Sequence, residues 1–258
     1  MSQQHPDVLK VIVTGSEGFI GKQLCRRLET FSQVVRIDRE NGDDAADIER
    51  YMTDDIDVVF HLAAETSVFN NRLDVIEREN VRAFMKVALA CHRHDVRLVY
   101  ASSSTANPCN TTSMYGMTKH FNEQFAMAYC PKSVGVRLHN VYGPDPRRGT
   151  LLYNILNGPC TIFNGGKNVR HFTFISDVLD GFVKSIGEER QLVNIRNPER
   201  NTVREFCDEV AKYERLDLHY SNRVRPHDNF EQSVDENIFS LPLHYKTIRQ
   251  GVASLFDE

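Results

Sequence analysis

The sequence has no tryptophan, no Cys-x-x-Cys pair and no apolar run long enough to span a bilayer. A spanning helix needs about 20 consecutive apolar residues, so a transmembrane protein is not expected. The six cysteines, Cys25, Cys91, Cys109, Cys130, Cys160 and Cys207, are scattered without close pairs. Disulfide frameworks belong mainly to small secreted domains, so these read as reduced thiols, most of them filling apolar stretches. The opening Met-Ser-Gln-Gln-His-Pro-Asp has no basic region ahead of an apolar stretch, which gives no sign of a secretory signal. A cytoplasmic protein is expected. Charge of one sign is also lacking: the net charge is −4, with acids and bases mixed throughout. That excludes an evident nucleic-acid surface or membrane patch. Internal repeats and low-complexity linkers are absent. His92 and His94 lack further ligands at metal spacing, and His61 ends an apolar run as a structural residue, so no metal is expected.

What is present is a chain of 258 residues, enough for one sizeable core or a domain with an appendage. Short apolar runs at 8–14, 34–38, 57–61, 97–101 and 134–138 read as strands. Helical spacing marks 19–29, 74–94 and 117–129 between them. Strands alternating with helices imply a doubly wound parallel α/β sheet. After that the alternation is less regular, with helices at 151–156, 178–186, 202–212 and 247–256 and strands at 192–195 and 216–220. The expected division is a dinucleotide-binding domain over 1–142, to which 170–195 returns. A small substrate lobe takes 143–169 and 196–258.

Thr14-Gly15-Ser-Glu-Gly18-Phe19-Ile20-Gly21 follows the first strand and opens the first helix. That is the context a dinucleotide fingerprint needs. Gly15 permits the tight turn, Gly18 lets the backbone approach a pyrophosphate, and Gly21 allows close packing, while the helix N-terminus offers donors to phosphate. Asp38, at the end of the second strand, is placed to accept from the adenosine ribose. Its carboxylate favours NAD over NADP, although the neighbouring Arg39 could accommodate a 2′-phosphate.

Tyr115-Gly-Met-Thr-Lys119 puts a tyrosine and a lysine on one helical face. A free tyrosine is too weak a base at neutral pH, and a nearby ammonium would lower its pKa. Tyr115 could then take a hydroxyl proton while the substrate carbon gives hydride to nicotinamide. Lys119 could also hold the nicotinamide ribose. The run Ser102-Ser103-Ser104-Thr105 lies just upstream, where a hydroxyl would orient the substrate oxygen.

With these pieces the chain resembles the extended short-chain dehydrogenase/reductases, in their NAD-dependent nucleotide-sugar epimerase and dehydratase branch. The resemblance runs over nearly the whole chain. It rests on TGSEGFIG at 14–21, Asp38, Asp47-Ile48, HLAA at 61–64, Asn80, ASSS at 101–104, YGMTK at 115–119, RLHNVYGP at 137–144, GGKNVRHFTFISDV at 165–178 and RPHD at 225–228. It implies a Rossmann-type sheet and a UDP-glucose 4-epimerase-like activity. Ser103 would join Tyr115 and Lys119 in catalysis, with Ser104 a close rival. Gly15, Gly18, Phe19, Ile20, Gly21, Asp38 and Arg39 would hold NAD, with Asp47 and Ile48 at the adenine, Leu62, Ala63 and Ala64 along the groove, and Asn80. Thr66, Ser67, Ser104, Asn140, Arg170 and Arg225 would hold a nucleotide-sugar substrate, the arginines gripping its diphosphate. A homodimer built on the two long helices around the site is implied as well.

The dehydratases of this branch carry Thr-Asp-Glu where this chain has Ser103-Ser104-Thr105, so C4 epimerisation through a 4-keto sugar is preferred. Ala63-Ala64-Glu65-Thr66-Ser67-Val68 does look like a dehydratase stretch. A nucleotide-keto-sugar reductase or dehydratase and a non-catalytic NAD-binding regulator are the alternatives. The segment between Ser104 and Tyr115 is shorter than is usual in the branch, which implies a more open sugar pocket, with an altered substrate range or a partner that closes the site.

Overall fold

The computed structural model describes residues 8–66, 72–225 and 228–257. Six strands form its central sheet: β1 (Leu9–Thr14), β2 (Ser32–Ile37), β3 (Val58–His61), β4 (Arg97–Ser103), β5 (Ser133–Leu138) and β6 (Leu192–Ile195). All neighbours are parallel, in the order β6-β5-β4-β3-β1-β2. Runs such as Val11-Ile12-Val13, each fully buried, belong to strands covered on both faces. Burying each such side chain contributes roughly 1.5–3 kcal/mol.

The first covering helix is α1 (Phe19–Leu28). The second, α2, runs through Leu73–Ile76, a π-helical stretch Glu77–Arg82, and Ala83–Arg93. Next come α3 (Met114–Tyr129), α4 (Leu151–Leu156), α5 (Ile175–Lys184), α6 (Val203–Val210) and α7 (Ile248–Phe256). On one face, Phe84, Val87 and Cys91 of α2 and Ala126 of α3 pack on Ile12, Val59, Leu98 and Tyr100. On the other, Leu24 and Leu28 of α1 and Val178 and Phe182 of α5 pack on Val11, Val13, Phe60 and Val99. The sheet is therefore doubly wound, as the alternation of runs implied.

A third core gathers Tyr142, Leu152, Phe172, Phe174, Phe206 and Val252 from α4, α6, α7 and the segments between them. Phe172 stacks on Phe206 with centroids 4.3 Å apart, and Tyr142 meets Phe206 edge-on at 5.0 Å. Parallel pairing of Cys160–Ile162 with Leu218–Tyr220 adds a short strand pair to this region.

One boundary differs from the expected one in a way that matters for chemistry. Helix α3 begins at Met114, three residues before the apolar pattern suggested. Ser113 caps it, its hydroxyl accepting from the Gly116 amide at 3.2 Å. A serine cap satisfies a free donor of the first turn and fixes where the helix starts. Tyr115 is therefore inside the first turn, in helical register with Lys119. Among the described residues, no helix is long and apolar enough to cross a membrane.

Candidate active site

The order of strands reverses between β1 and β3, and the loops leaving the carboxyl ends of β1, β3 and β4 open into one cavity of about 540 Å³. Such crevices are where parallel sheets of this kind bind ligands. Gly15, Gly18, Phe19, Ile20 and Gly21 form one wall. Gly15 has φ +72°, and a Cβ there would lie 2.6 Å from the Ala63 amide nitrogen. A Cβ on Gly21 would lie 1.9 Å from the Gly15 carbonyl oxygen, so α1 can enter the turn this closely only as glycine. Asp38 braces the turn from outside: its carboxylate accepts from the Glu17 amide at 3.0 Å and the Glu40 amide at 3.1 Å. Leu62, Ala63 and Ala64 line the opposite wall. Below them His61 is buried and hydrogen-bonds Thr14 at 2.8 Å. Burial pushes its pKa down to about 3, so it is a neutral structural residue.

Ser103, Tyr115 and Lys119 line the same cavity. Ser103 Oγ lies 2.8 Å from Thr105 Oγ1 and is hydrogen-bonded to the Tyr115 phenol. Lys119, 4% exposed, donates from Nζ to the Ala101 carbonyl at 2.8 Å, and its ammonium stands 5.7 Å from the centre of the Tyr115 ring. Burial pushes the Lys119 pKa down to about 8, with Glu123 pulling the other way. The expectation that Lys119 depresses Tyr115 is not met. Burial pushes the phenol up instead, and the Ser103 hydrogen bond and the charge of Arg147 pull it back. The lysine faces the backbone of β4 rather than the phenolic oxygen, which explains the difference.

The chain matches the model of the NAD dependent epimerase/dehydratase family over residues 11–196. It belongs to that family. The uncharacterized UDP-glucose epimerase YtcB of Bacillus subtilis (strain 168) is 27% identical over 84% of this chain and 86% of its own. Among solved structures, MoeE5 in complex with UDP-glucuronic acid and NAD is 26% identical with a TM-score of 0.80, covering 95% of this chain and 97% of its own. The UDP-N-acetylglucosamine 4-epimerase from Methanobrevibacter ruminantium M1, at 23% identity and TM-score 0.81 over 96% and 98% of the two chains, shares the fold.

NAD is the cofactor of the family, and the residues present fit it: a glycine cradle that any Cβ would fill, a helix N-terminus behind it, and Asp38 at its edge. Arg39 lines the cavity, yet its guanidinium donates to Glu79 at 2.7 Å. The adenine end differs from the expected one. Asp47 pairs with Arg50 at 3.5 Å, and Ile48, 1% exposed, turns into the core under α2. The short helix Ala45–Tyr51 rotates both away from the cavity, and Asp43, Asp44 and Ala45 form its wall. Asn80 is buried and does not line the cavity. It accepts from the Glu65 amide at 2.7 Å and donates to the Glu65 carbonyl at 2.9 Å and to Thr118 at 3.2 Å, holding the loop after β3. The π-helical stretch of α2 carries it, and periodicity gave no hint of that stretch.

At the sugar end, Thr66 and Asn140 line the cavity, and Arg147, which sequence reasoning missed, reaches Thr66 Oγ1 from the far side. Ser67 lies outside the described residues. Ser104 is buried, donates to Gln232 at 3.2 Å and faces away from the cavity, which leaves Ser103 as the serine in place. The short segment after it folds into two 3-10 turns, Ser104–Ala106 and Pro108–Asn110. Residues 229–235 lie against them: Asn110 donates to the Ser233 carbonyl at 2.6 Å and accepts from the Ser233 amide at 2.7 Å. Arg170 is spent on this strap. It is 6% exposed, pairs with Asp228 at 2.5 Å and donates to the carbonyls of Val169, Asn229 and Phe230. It does not line the cavity, so the expected diphosphate contact would require it to leave Asp228. Arg225 lies over the Phe163 ring at 5.7 Å, also outside the cavity wall.

Proposed function

We propose that this protein epimerises the C4 position of a UDP-hexose with NAD, through a 4-keto sugar. The observation that carries the reading is the sorting of charge along the cavity. Its lining acids, Asp38, Glu40, Asp43, Asp44 and Glu79, all stand at the adenine end, Glu79 through its bond to Arg39. Hydroxyls and cations remain around the sugar end: Ser103, Tyr115, Thr66, Lys119 and Arg147. Loss of water from a keto sugar needs an acid and a base beside the reacting carbons, and no carboxylate lines that end among the described residues. NAD, when bound, supplies a reversible hydride acceptor. Tyr115, whose phenol Ser103 and Arg147 hold back from the rise that burial causes, takes the proton of the C4 hydroxyl and returns it after the sugar has turned over. Ser103 holds the reacting oxygen, and Lys119 holds its side of the cofactor groove positive. The UDP-sugars named for MoeE5 and YtcB support this substrate class.

The acids at the adenine edge, together with the engagement of Arg39 by Glu79, favour NAD over NADP. A homodimer is part of the proposal: Met117, Phe121 and Tyr129 on α3 and Leu73 on α2 are 55%, 42%, 56% and 58% exposed, an apolar face a second copy would cover. Six free thiols, four of them buried, suit a reducing cytoplasm.

Purified protein would be incubated with NAD and UDP-glucose, UDP-galactose, their N-acetyl forms and UDP-glucuronic acid. A C4 epimer without net NADH change is expected. Stoichiometric consumption of cofactor would instead mark a reductase, and no epimer from any of these sugars would refute the proposal.

A further inference from the structure

Behind Tyr115 and Lys119, the same face of α3 carries a third ionisable residue, Glu123, with no exposed surface. Its Oε1 accepts from Ser102 Oγ at 2.5 Å and from Arg137 Nε at 2.8 Å, and its Oε2 accepts from Arg137 Nη2 at 2.7 Å. Arg137 is 5% exposed on its side chain, and beyond it Asp235 stands 3.8 Å from Nη1. Ser102 and Arg137 are register partners on β4 and β5. One carboxylate therefore staples the catalytic helix to both strands, next to Ser103 on the first. A buried ion pair is weak evidence for stability, because apolar side chains of similar volume often do as well. Its place one turn beyond Lys119 suggests another role.

We propose that Glu123 is a positioning residue for catalysis: clamped by Arg137 and Ser102, it fixes the helix against β4 so that Lys119, one turn away, meets the Ala101 carbonyl. The inference rests on the catalytic reading of Tyr115 and Lys119. The groups that face Lys119 are the Tyr115 ring and Glu123 on its own helix and neutral His61 on β3. Glu123 is faced in turn by Tyr100 on β4, Arg137 on β5 and, through Arg137, Asp235. Burial opposes the ammonium and Glu123 supports it. Removing the carboxylate takes away that support and leaves the Arg137 charge unbalanced nearby, and both changes make Lys119 lose its proton at lower pH.

The test compares wild type, Glu123→Gln, and the apolar double variant Glu123→Leu/Arg137→Met, each with and without Lys119→Met. Unfolding is measured from pH 6 to 10. The difference between each protein and its Lys119→Met partner reports the titration of Lys119 with no substrate present, so it stands apart from failure of the epimerase reading. In wild type this difference should change above about pH 8. In the Glu123 variants it should change at least one pH unit lower. With the preferred sugar, kcat should fall at least tenfold, KM should stay within about threefold, and the alkaline limb of the kcat profile should move down alongside. Should both Glu123 variants fail to fold, Ser102→Ala, which keeps the ion pair, decides: a smaller shift in the same direction is expected. A folded variant with wild-type Lys119 titration and wild-type kcat overturns the proposal, as does a Ser102→Ala profile identical to wild type.

Discussion

Replacing Lys119 by methionine should make the protein inactive and, at neutral pH, no less stable. The side chain is 4% exposed, and its pKa falls from the ordinary 10.5 to about 8 through burial. Each pH step of such a change is worth about 1.4 kcal/mol, so keeping the lysine charged at pH 7 costs the folded state about 3 kcal/mol. Methionine removes that cost and fills a similar volume. It also gives up the 2.8 Å bond to the Ala101 carbonyl, worth about 1.5–3 kcal/mol for a charged donor. The two nearly cancel at pH 7, which leaves the variant roughly 0–2 kcal/mol more stable.

The sign of the pH dependence is fixed by linkage. Between about pH 8 and 10.5 the unfolded chain holds the Lys119 proton and the folded chain has released it, so wild-type stability gains as pH rises through that window. The variant lacks this gain, and every other titrating group is common to both proteins. Its relative stability should therefore fall by about 3 kcal/mol across the window, several degrees in midpoint for a chain of this size. Paired urea or thermal unfolding at pH 7, 8, 9 and 10 measures it. A difference that does not move between pH 7 and 10 would refute the buried-charge argument.

Three other substitutions probe the cavity and its supports. Gly21→Ala drives a Cβ to 1.9 Å from the Gly15 carbonyl oxygen, and should cost about 1–3 kcal/mol and weaken NAD binding more than tenfold by calorimetric titration. Asp38→Ala frees the Glu17 and Glu40 amides and removes the edge carboxylate; NAD affinity should drop about tenfold while NADP affinity holds or rises, and equal losses for both would contradict the assignment. Asn110→Ala strands the Ser233 amide and takes one of two donors from the Ser104 carbonyl, so urea unfolding should show a loss of about 1–3 kcal/mol; a loss below about 0.5 would mean the strap is not held there.

The parts legible in the sequence were those with a local signature. Strands β1, β3, β4 and β5 are buried on both faces and read as short apolar runs, and the glycine turn announces itself because no other residue fits where its chain passes. Ser103, Tyr115 and Lys119 could be singled out because one ends a strand and the others lie four apart on a helix. What stayed hidden is set by partners far along the chain. Arg170 has the same composition and spacing whether it faces a diphosphate or Asp228, 58 residues away. Asn110 reads as a loop polar residue until Ser233, 123 residues on, closes against it. Polar side chains carry no periodicity from which such a pairing could be read.

The short segment before Tyr115 shows the same limit acting on function. A missing stretch of sequence implies an open pocket only if nothing else occupies the space. Here the strap at 229–235 packs against the trimmed segment, with Gln232 holding Ser104 and Ser233 holding Asn110. Fixing Ser104 turns the run of hydroxyls so that Ser103 and Thr105 remain mutually bonded beside the phenol. Of the two serines that residue identity left open, a contact from the other end of the chain turns Ser104 away and leaves Ser103 on the cavity. On the opposite side of the same strand, Ser102 donates to Glu123, which also accepts from Arg137. Three successive serines so have three different partners: Ser102 bonds the helix clamp, Ser104 the strap, and Ser103 lines the cavity, where the proposed reaction would use it.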